Sequence, residues 1–147
     1  MVCEEAIEIF GKKTDEYASL LEELEEEMAK AGVDVRDIYY GLESVKKLIK
    51  NKEDLEEIGK KIVELGKEAV EAGINPWDIY YGLGIVRELI ENKKDLEEIG
   101  KKIVELGKEV VKVGVNVWVI YYGLAIVREL IKNKDLEEIG KKIVELG

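Results

Sequence analysis

A thirteen-residue segment, DLEEIGKKIVELG, occurs three times in this chain without a single change. The copies lie at residues 54–66, 95–107 and 135–147. Because chance does not produce such a triplicate in 147 residues, the chain is an internal repeat. A repeat of this kind is one supersecondary unit stacked on copies of itself, which restricts the fold to a solenoid or a similar array.

A second marker, residues 37–42 (DIYYGL), recurs at 78–83 and, with its first residue changed, at 119–124, which gives a period of 41 residues. Apolar residues step by three and four within each unit, so each unit predicts two helices. In repeat 2 we expect them at about residues 55–72 and 76–91. Their loops are short, which makes consecutive helices antiparallel neighbours.

Local signals support these helix ends. Asp54, with Glu57 three residues later, predicts a capping box at the start of the first helix. Gly73 is placed for a C-terminal glycine cap. Asn75 is the expected N-cap of the second helix, and Pro76 occupies its first position.

Two glycines, Gly59 and Gly66, lie inside the first predicted helix and recur in the later copies. Each costs about 1 kcal/mol relative to alanine in a helix interior. We expect close helix–helix contact at these positions as the compensation.

The predicted fold class is therefore all-α: a right-handed-type α-solenoid of antiparallel helix pairs, with about eight helices and short ends. The chain is expected to be one helical-repeat domain, residues 1–147. Its predicted parts are a short N-terminal helix at 1–12, repeat 1 at 13–53, repeat 2 at 54–94, repeat 3 at 95–134 and a truncated C-terminal helix at 135–147.

Repeat 1 is more polar than repeat 2. This predicts a capping repeat with one polar, solvent-facing side, and the glutamate-rich run at 22–27 is interpreted as a solvated helix face. The changes from repeat 2 to repeat 1 are Val63 to Glu22, Gly66 to Glu25, Gly84 to Glu43 and Ile85 to Ser44.

Repeat 3 is richer in valine. Val117 and Val119 replace the helix-starting Pro76 and the first-turn acid Asp78. These substitutions remove residues that favour the start of a helix and bring no evident local benefit in return, which indicates an interface. The alternative is local repacking under the final helix. The predicted apolar patch, to which Val111 adds, comprises Val110, Val113, Val115, Val117, Trp118 and Val119.

Tyrosine pairs recur in the three repeats. In stacked units one member of each pair can form a ladder that binds a peptide or an aromatic ligand. The alternative is that they are core and boundary residues, repeated because the unit is repeated. The candidate binding face is Tyr39, Tyr40, Tyr80, Tyr81, Tyr121 and Tyr122.

Composition narrows the function classes. The net charge is −10 with no basic tract, which disfavours nucleic acid and anionic membranes as partners. Histidine is absent and Cys3 is the single cysteine; we interpret Cys3 as a small apolar helix residue. We therefore predict no enzyme activity, no metal site and no cofactor.

The apolar runs are too short for a membrane span and the start is too acidic for a signal peptide. We expect a soluble, intracellular-type protein, cytoplasmic on expression if engineered.

The triplicate at 54–66 makes the whole chain resemble idealised or designed α-helical tandem-repeat proteins. The Glu-, Lys- and Ile-rich composition fits a designed or a hyperthermophile protein, which implies thermostability. Residues 72–83 are also similar to a helix–turn–helix in the cap of corrinoid-binding proteins. That family ligates cobalt through a histidine in a separate domain; this chain has neither, so no cofactor role is carried over.

These features predict a non-enzymatic scaffold that self-associates through the repeat 3 patch, with a twofold dimer favoured. One alternative is a protein- or peptide-binding module that uses the tyrosine face. Another is a head-to-tail assembling unit in which the short helix at 3–10 complements the truncated one at 135–147.

Overall fold

A computed structural model describes residues 3–116, residue 121 and residues 136–146. Within these ranges the chain is helical and contains no β-strand, which confirms the all-α class for the described residues. Short 3₁₀ turns at Gly11–Lys13, Lys46–Leu48 and Arg87–Leu89 join several of the helices. The helices are α1 (Glu4–Phe10), α2 (Thr14–Lys30), α3 (Asp37–Ser44), α4 (Lys52–Glu71), α5 (Pro76–Ile85), α6 (Lys93–Val113) and α7 (Leu136–Leu146).

The helices pack in two sets. The longer helices lie side by side, with α2 against α4, α4 against α6, and α6 against α7. The shorter α3 and α5 pack against each other, and α1 lies on α3 and α2. The second helix expected in repeat 3 falls on residues that, apart from Tyr121, lie outside the described part of the chain. The number of about eight helices therefore stays a prediction.

The predicted apolar stripe of α4 forms part of the core: Leu55, Ile58, Ile62, Leu65 and Ala69 are all buried. Burial of this face stabilises the helix more than its intrinsic propensity does. Within the described residues, no helix combines the length and the apolar composition needed to cross a membrane.

Gly59 and Gly100 mark close contacts between neighbouring long helices, as expected. A Cβ atom on Gly59 would lie 2.5 Å from Leu24 Cδ1 of the preceding repeat. One repeat later, a Cβ on Gly100 would lie 2.8 Å from Leu65 Cδ1. Each glycine thus provides the space into which a leucine of the neighbouring long helix packs.

The predicted capping box of α4 is wrong in position. The N-cap is Asn51, whose side-chain oxygen accepts a hydrogen bond of 2.8 Å from the backbone N–H of Asp54. The Asp54 carboxylate in turn accepts one of 3.1 Å from the N–H of Lys50. The cap therefore lies three residues earlier than expected, with Asp54 inside the helix, and the return bond goes to Lys50, the residue before the N-cap. Asn92 and Asp95 repeat this arrangement at the start of α6.

The start of α5 agrees with its local signals. Asn75 is the N-cap and accepts a 3.0 Å hydrogen bond from the N–H of Trp77, and Pro76 is the first helical residue. Just before it, Gly73 ends the α4 turn with a φ of +75°, a conformation that favours glycine.

The predicted end of this helix at residue 91 is wrong. Regular helix ends at Ile85, and a 3₁₀ turn at Arg87–Leu89 follows. Ile90 then adopts an extended backbone, with φ −97° and ψ 96°, and is fully buried. Because the chain leaves the helix early, Ile90 can turn into the core. The apolar residues keep a helical spacing up to residue 90, so the sequence does not reveal this early end.

The expectation of one polar, solvent-facing side on repeat 1 is only half right. Glu22 and Glu43 are exposed, whereas Glu25 and Ser44 are buried. Ser44 faces the next repeat, because its hydroxyl lies 3.3 Å from where a Cβ would sit on Gly84 of α5. Polar substitutions in repeat 1 are therefore divided between solvent and internal contacts.

Candidate interaction sites

The tyrosine pairs divide between core and surface. Tyr39, Tyr80 and Tyr121 are at most 2% exposed, whereas Tyr40 is 48% exposed and Tyr81 is half-buried. Adjacent helical residues point about 100° apart, so one member of a pair faces the core. Tyr122 lies outside the described residues. Among the described tyrosines, the candidate face therefore reduces to Tyr40 and Tyr81.

The hydroxyl groups of the buried tyrosines differ in their hydrogen bonding. Tyr80 donates a 2.7 Å hydrogen bond to the carbonyl oxygen of Ile62, and burial raises its pKa. Burial also raises the pKa of Tyr121, whose hydroxyl has no hydrogen-bond partner within the described chain. These residues are structural rather than ligand-facing.

Trp77 joins the exposed tyrosines in one aromatic row. Its ring stacks on Tyr81 at a centroid distance of 5.1 Å, and it meets Tyr40 edge-on at 6.2 Å with an interplanar angle of 81°. Sequence reasoning assigned the face to tyrosines alone and missed Trp77. The available signal was its spacing of four from Tyr81, which places both on one helix face.

A groove of about 320 Å³ lies beside this aromatic row. Ser44 and Gly84 line it, together with one carboxylate, Glu43, and one guanidinium, Arg87. Flat aromatic walls and one charge of each sign suit the binding of a side chain or an extended peptide. We refer to it as the aromatic groove.

The predicted valine patch is only partly at the surface. Val110 is 3% exposed and replaces the fully buried Ala69 in the core, so it is not a surface residue. Val111 and Val113 are 53% and 54% exposed, and Val115 is half-buried. The remaining patch residues, Val117, Trp118 and Val119, lie outside the described part of the chain.

A groove of about 290 Å³ adjoins Val111 and Val115. Ile74 and Asp78 line it from repeat 2, and Val111 and Val115 line it from repeat 3. Between them, Gly114 ends α6 with a φ of +74°. We call Val111, Val113 and Val115, together with this groove, the valine surface.

Glu25 makes a polar site that the sequence did not predict. Its carboxylate accepts hydrogen bonds from the Tyr39 hydroxyl, from the Cys3 backbone N–H at 3.1 Å and from the Cys3 thiol, with the sulfur at 3.7 Å. The interpretation of this residue as part of a solvated face is therefore wrong. Its carboxylate ties the segment before α1 to the repeat.

Burial, followed by the hydrogen bond to Glu25, raises the pKa of Tyr39. The pKa of the Cys3 thiol is also raised, first by burial and then by the Glu25 charge. A thiol with a raised pKa carries less of the nucleophilic thiolate at neutral pH. The cluster therefore suits a structural role.

Potential metal ligands are dispersed: the described residues contain no group of three or more His, Cys, Asp or Glu side chains arranged to hold a metal ion.

Comparison with protein-family models, curated proteins and solved structures found no match to this chain.

Proposed function

We propose that this chain is a non-enzymatic helical-repeat scaffold, an idealised or engineered α-solenoid, that self-associates through the valine surface of repeat 3. The observation that carries the proposal is the half-exposure of Val111 and Val113 in the last turn of α6. The packing of each long helix on the next supports the solenoid arrangement.

Contact between two valine surfaces provides the favourable free energy. Val70, which occupies the position of Val111 in α4, is also 42% exposed, so repeat 2 presents an exposed valine at the same position. Fully burying a valine side chain gains roughly 1.5 kcal/mol or more. A twofold dimer places the same patch on both sides of the contact. The acidic charge of the chain opposes association elsewhere on the surface.

Sedimentation velocity at micromolar to millimolar concentration tests the proposal. The variant Val111→Lys with Val113→Lys should remain monomeric where the unmodified chain dimerises. Lysine is a good helix former and is favourable near a helix C-terminus, so the fold should persist. The matched control is Ser19→Lys with Ala29→Lys, two exposed positions on α2 that give the same change in charge.

The proposal fails if the unmodified chain is monomeric over this range. It also fails if the α2 control loses dimers to the same extent, because net charge rather than the valine surface would then control association. Circular dichroism of each variant verifies that the fold is retained.

A second candidate function is peptide binding at the aromatic groove. The specific observation that favours it is the 48% exposure of Tyr40 next to the stacked rings of Trp77 and Tyr81. Aromatic-lined grooves recognise extended proline-rich segments. In a fluorescence titration with a proline-rich peptide, Tyr40→Ala should lose binding and Tyr40→Phe should keep it. Equal binding by both variants, or no binding by the unmodified chain, would exclude this function.

A further inference from the structure

The outer face of the long helices contains a groove between α4 and α6, of about 590 Å³. Along α4 it runs from Glu53 to Glu68, a distance of about 22 Å at 1.5 Å per residue. Leu65 and Leu96 line its floor and are almost fully buried. The apolar surface of the groove therefore comes from the two leucines at its floor and from the aliphatic stems of the lysines and glutamates along its walls.

Its walls carry an excess of negative charge, because six glutamates and three lysines line it, for a net charge of −3. Lys61 bridges the groove to Glu97 at 3.3 Å, and the same carboxylate also pairs with Lys101 at 3.3 Å. The carboxylates of Glu64 and Glu68 form no ion pair or hydrogen bond within the described part of the chain.

The adjacent groove between α2 and α4 has the same character. It measures about 380 Å³, has leucine and valine side chains among its lining residues, and is lined by four glutamates and two lysines. Lys67 pairs there with Glu27 at 3.1 Å. Glu64 and Lys60 line both grooves, so the excess of negative charge extends across the outer face of α4.

From this combination we infer that the groove between α4 and α6 is a docking site for a basic amphipathic helix of another protein. Helix-in-groove recognition places an apolar stripe on an apolar floor. Lysine or arginine residues flanking that stripe would meet the free carboxylates of Glu64 and Glu68. A second copy of this chain is a poor occupant, because its net charge of −10 opposes docking on a groove of net charge −3, and like charges across an interface are costly.

The probe is a fluorescein-labelled fourteen-residue peptide of leucine and lysine with the leucines on one helical face. Fluorescence anisotropy at low ionic strength should show saturable binding that weakens as salt is added. A peptide of the same composition, scrambled so that the leucine stripe is lost, should bind much more weakly. A version with glutamate in place of lysine should not bind.

The variant Glu64→Gln with Glu68→Gln should weaken binding of the leucine–lysine peptide by roughly fivefold, the range expected for two partly solvated charge contacts. The matched control is Glu8→Gln with Glu16→Gln, two exposed positions outside both grooves. It removes the same charge and should change the affinity by less than about twofold.

Equal loss of affinity in the groove variant and the control would overturn the inference, because it would show that the peptide is attracted by the net charge of the chain and not by the groove. Equal binding of the scrambled peptide, or absence of saturable binding, would also overturn it. The titrations are repeated in the Val111→Lys, Val113→Lys background. Peptide binding is then measured without self-association through the valine surface, so failure of the proposed function and failure of this inference can be distinguished.

Discussion

The hydroxyl oxygen of Tyr80 lies 2.5 Å from the position that a Cβ atom would occupy on Gly66. That hydroxyl is fixed, because it donates a 2.7 Å hydrogen bond to the carbonyl oxygen of Ile62 and the residue is 1% exposed. The glycine in the invariant segment is therefore required by the tyrosine of the following helix. In repeat 2 the interior glycine and the first tyrosine of the pair are thus parts of one contact, whereas a Cβ on Gly107, the same position in repeat 3, would meet Ile74 first, at 2.6 Å.

Replacing Gly66 by alanine should destabilise the protein by up to about 2 kcal/mol, although alanine is the better helix former. The overpacking cost of about 1–3 kcal/mol exceeds the intrinsic gain of about 1 kcal/mol. Urea unfolding measures the change. Gly84→Ala is the control, because the nearest atom to its Cβ position is the Ser44 hydroxyl oxygen, at the longer distance of 3.3 Å, and it should be neutral or stabilising. A Gly66→Ala variant at least as stable as the unmodified chain would contradict the contact.

Loss of the observed N-caps should weaken the long helices. Asn51→Ala and Asn92→Ala should each lower the free energy of unfolding by about 1 kcal/mol, whereas Asn51→Asp should retain most of the stability. The reason is that each asparagine oxygen accepts a 2.8 Å hydrogen bond from an otherwise unpaired helix N–H. Urea denaturation of the three variants checks this. If Asn51→Ala were neutral while Glu57→Ala were costly, the sequence-based capping box would be correct instead.

The sequence predicted the features that depend on local spacing. The helical period, the Asn75–Pro76 start and the Gly73 turn follow from the preferences of neighbouring residues, and the structure has all three. The position of the α4 cap does not follow in this way. Asn51 and Asp54 are both good N-cap residues, and only the path of the preceding chain decides which side chain reaches the free N–H groups.

The contacts of Glu25 depend on an element that the repeat itself lacks. Aligning the repeats places Glu25 at the position of Gly66 and predicts a polar outer side. The segment before α1 contributes to its burial, since the Cys3 N–H donates to the carboxylate, as does the Tyr39 hydroxyl from α3 of the same repeat. Comparison among copies of a unit cannot reveal a contact made by a segment outside the unit. Within the aromatic row, the stacking of Trp77 on Tyr81 follows from their spacing in α5, whereas the contact of Tyr40 with Trp77 depends on how α3 and α5 pack.

Removal of the Glu25 charge should make Cys3 more reactive. Glu25→Gln removes a negative charge that raises the pKa of the thiol, so more thiolate forms at a given pH and alkylation by iodoacetamide should accelerate severalfold at pH 8. The pH profile of the rate should also shift to lower pH. Glu5→Gln, which affects the thiol through its charge alone, should give a smaller acceleration.

An unchanged pH profile in Glu25→Gln, with only a higher maximum rate, would show that exposure and not charge had changed. The predicted role of Glu25 would then be wrong. Urea unfolding of the same variant shows separately how far the loss of the buried contacts lowers stability.

Stability should fall in alkaline solution because of the buried tyrosines. Burial raises the pKa of Tyr80 above its ordinary value of 10.0, so the folded state holds a proton that the unfolded state releases. A group with a raised pKa contributes its full stability below pH 10 and loses it as the pH rises above that value, by up to about 1.4 kcal/mol per pH unit.

Tyr80→Phe should cost about 1 kcal/mol at pH 7, where its hydrogen bond is lost, but should show a shallower decline between pH 10 and 11. Urea unfolding of both proteins across this range gives the two slopes; parallel slopes would mean that Tyr80 ionises as readily in the folded chain as in the unfolded one.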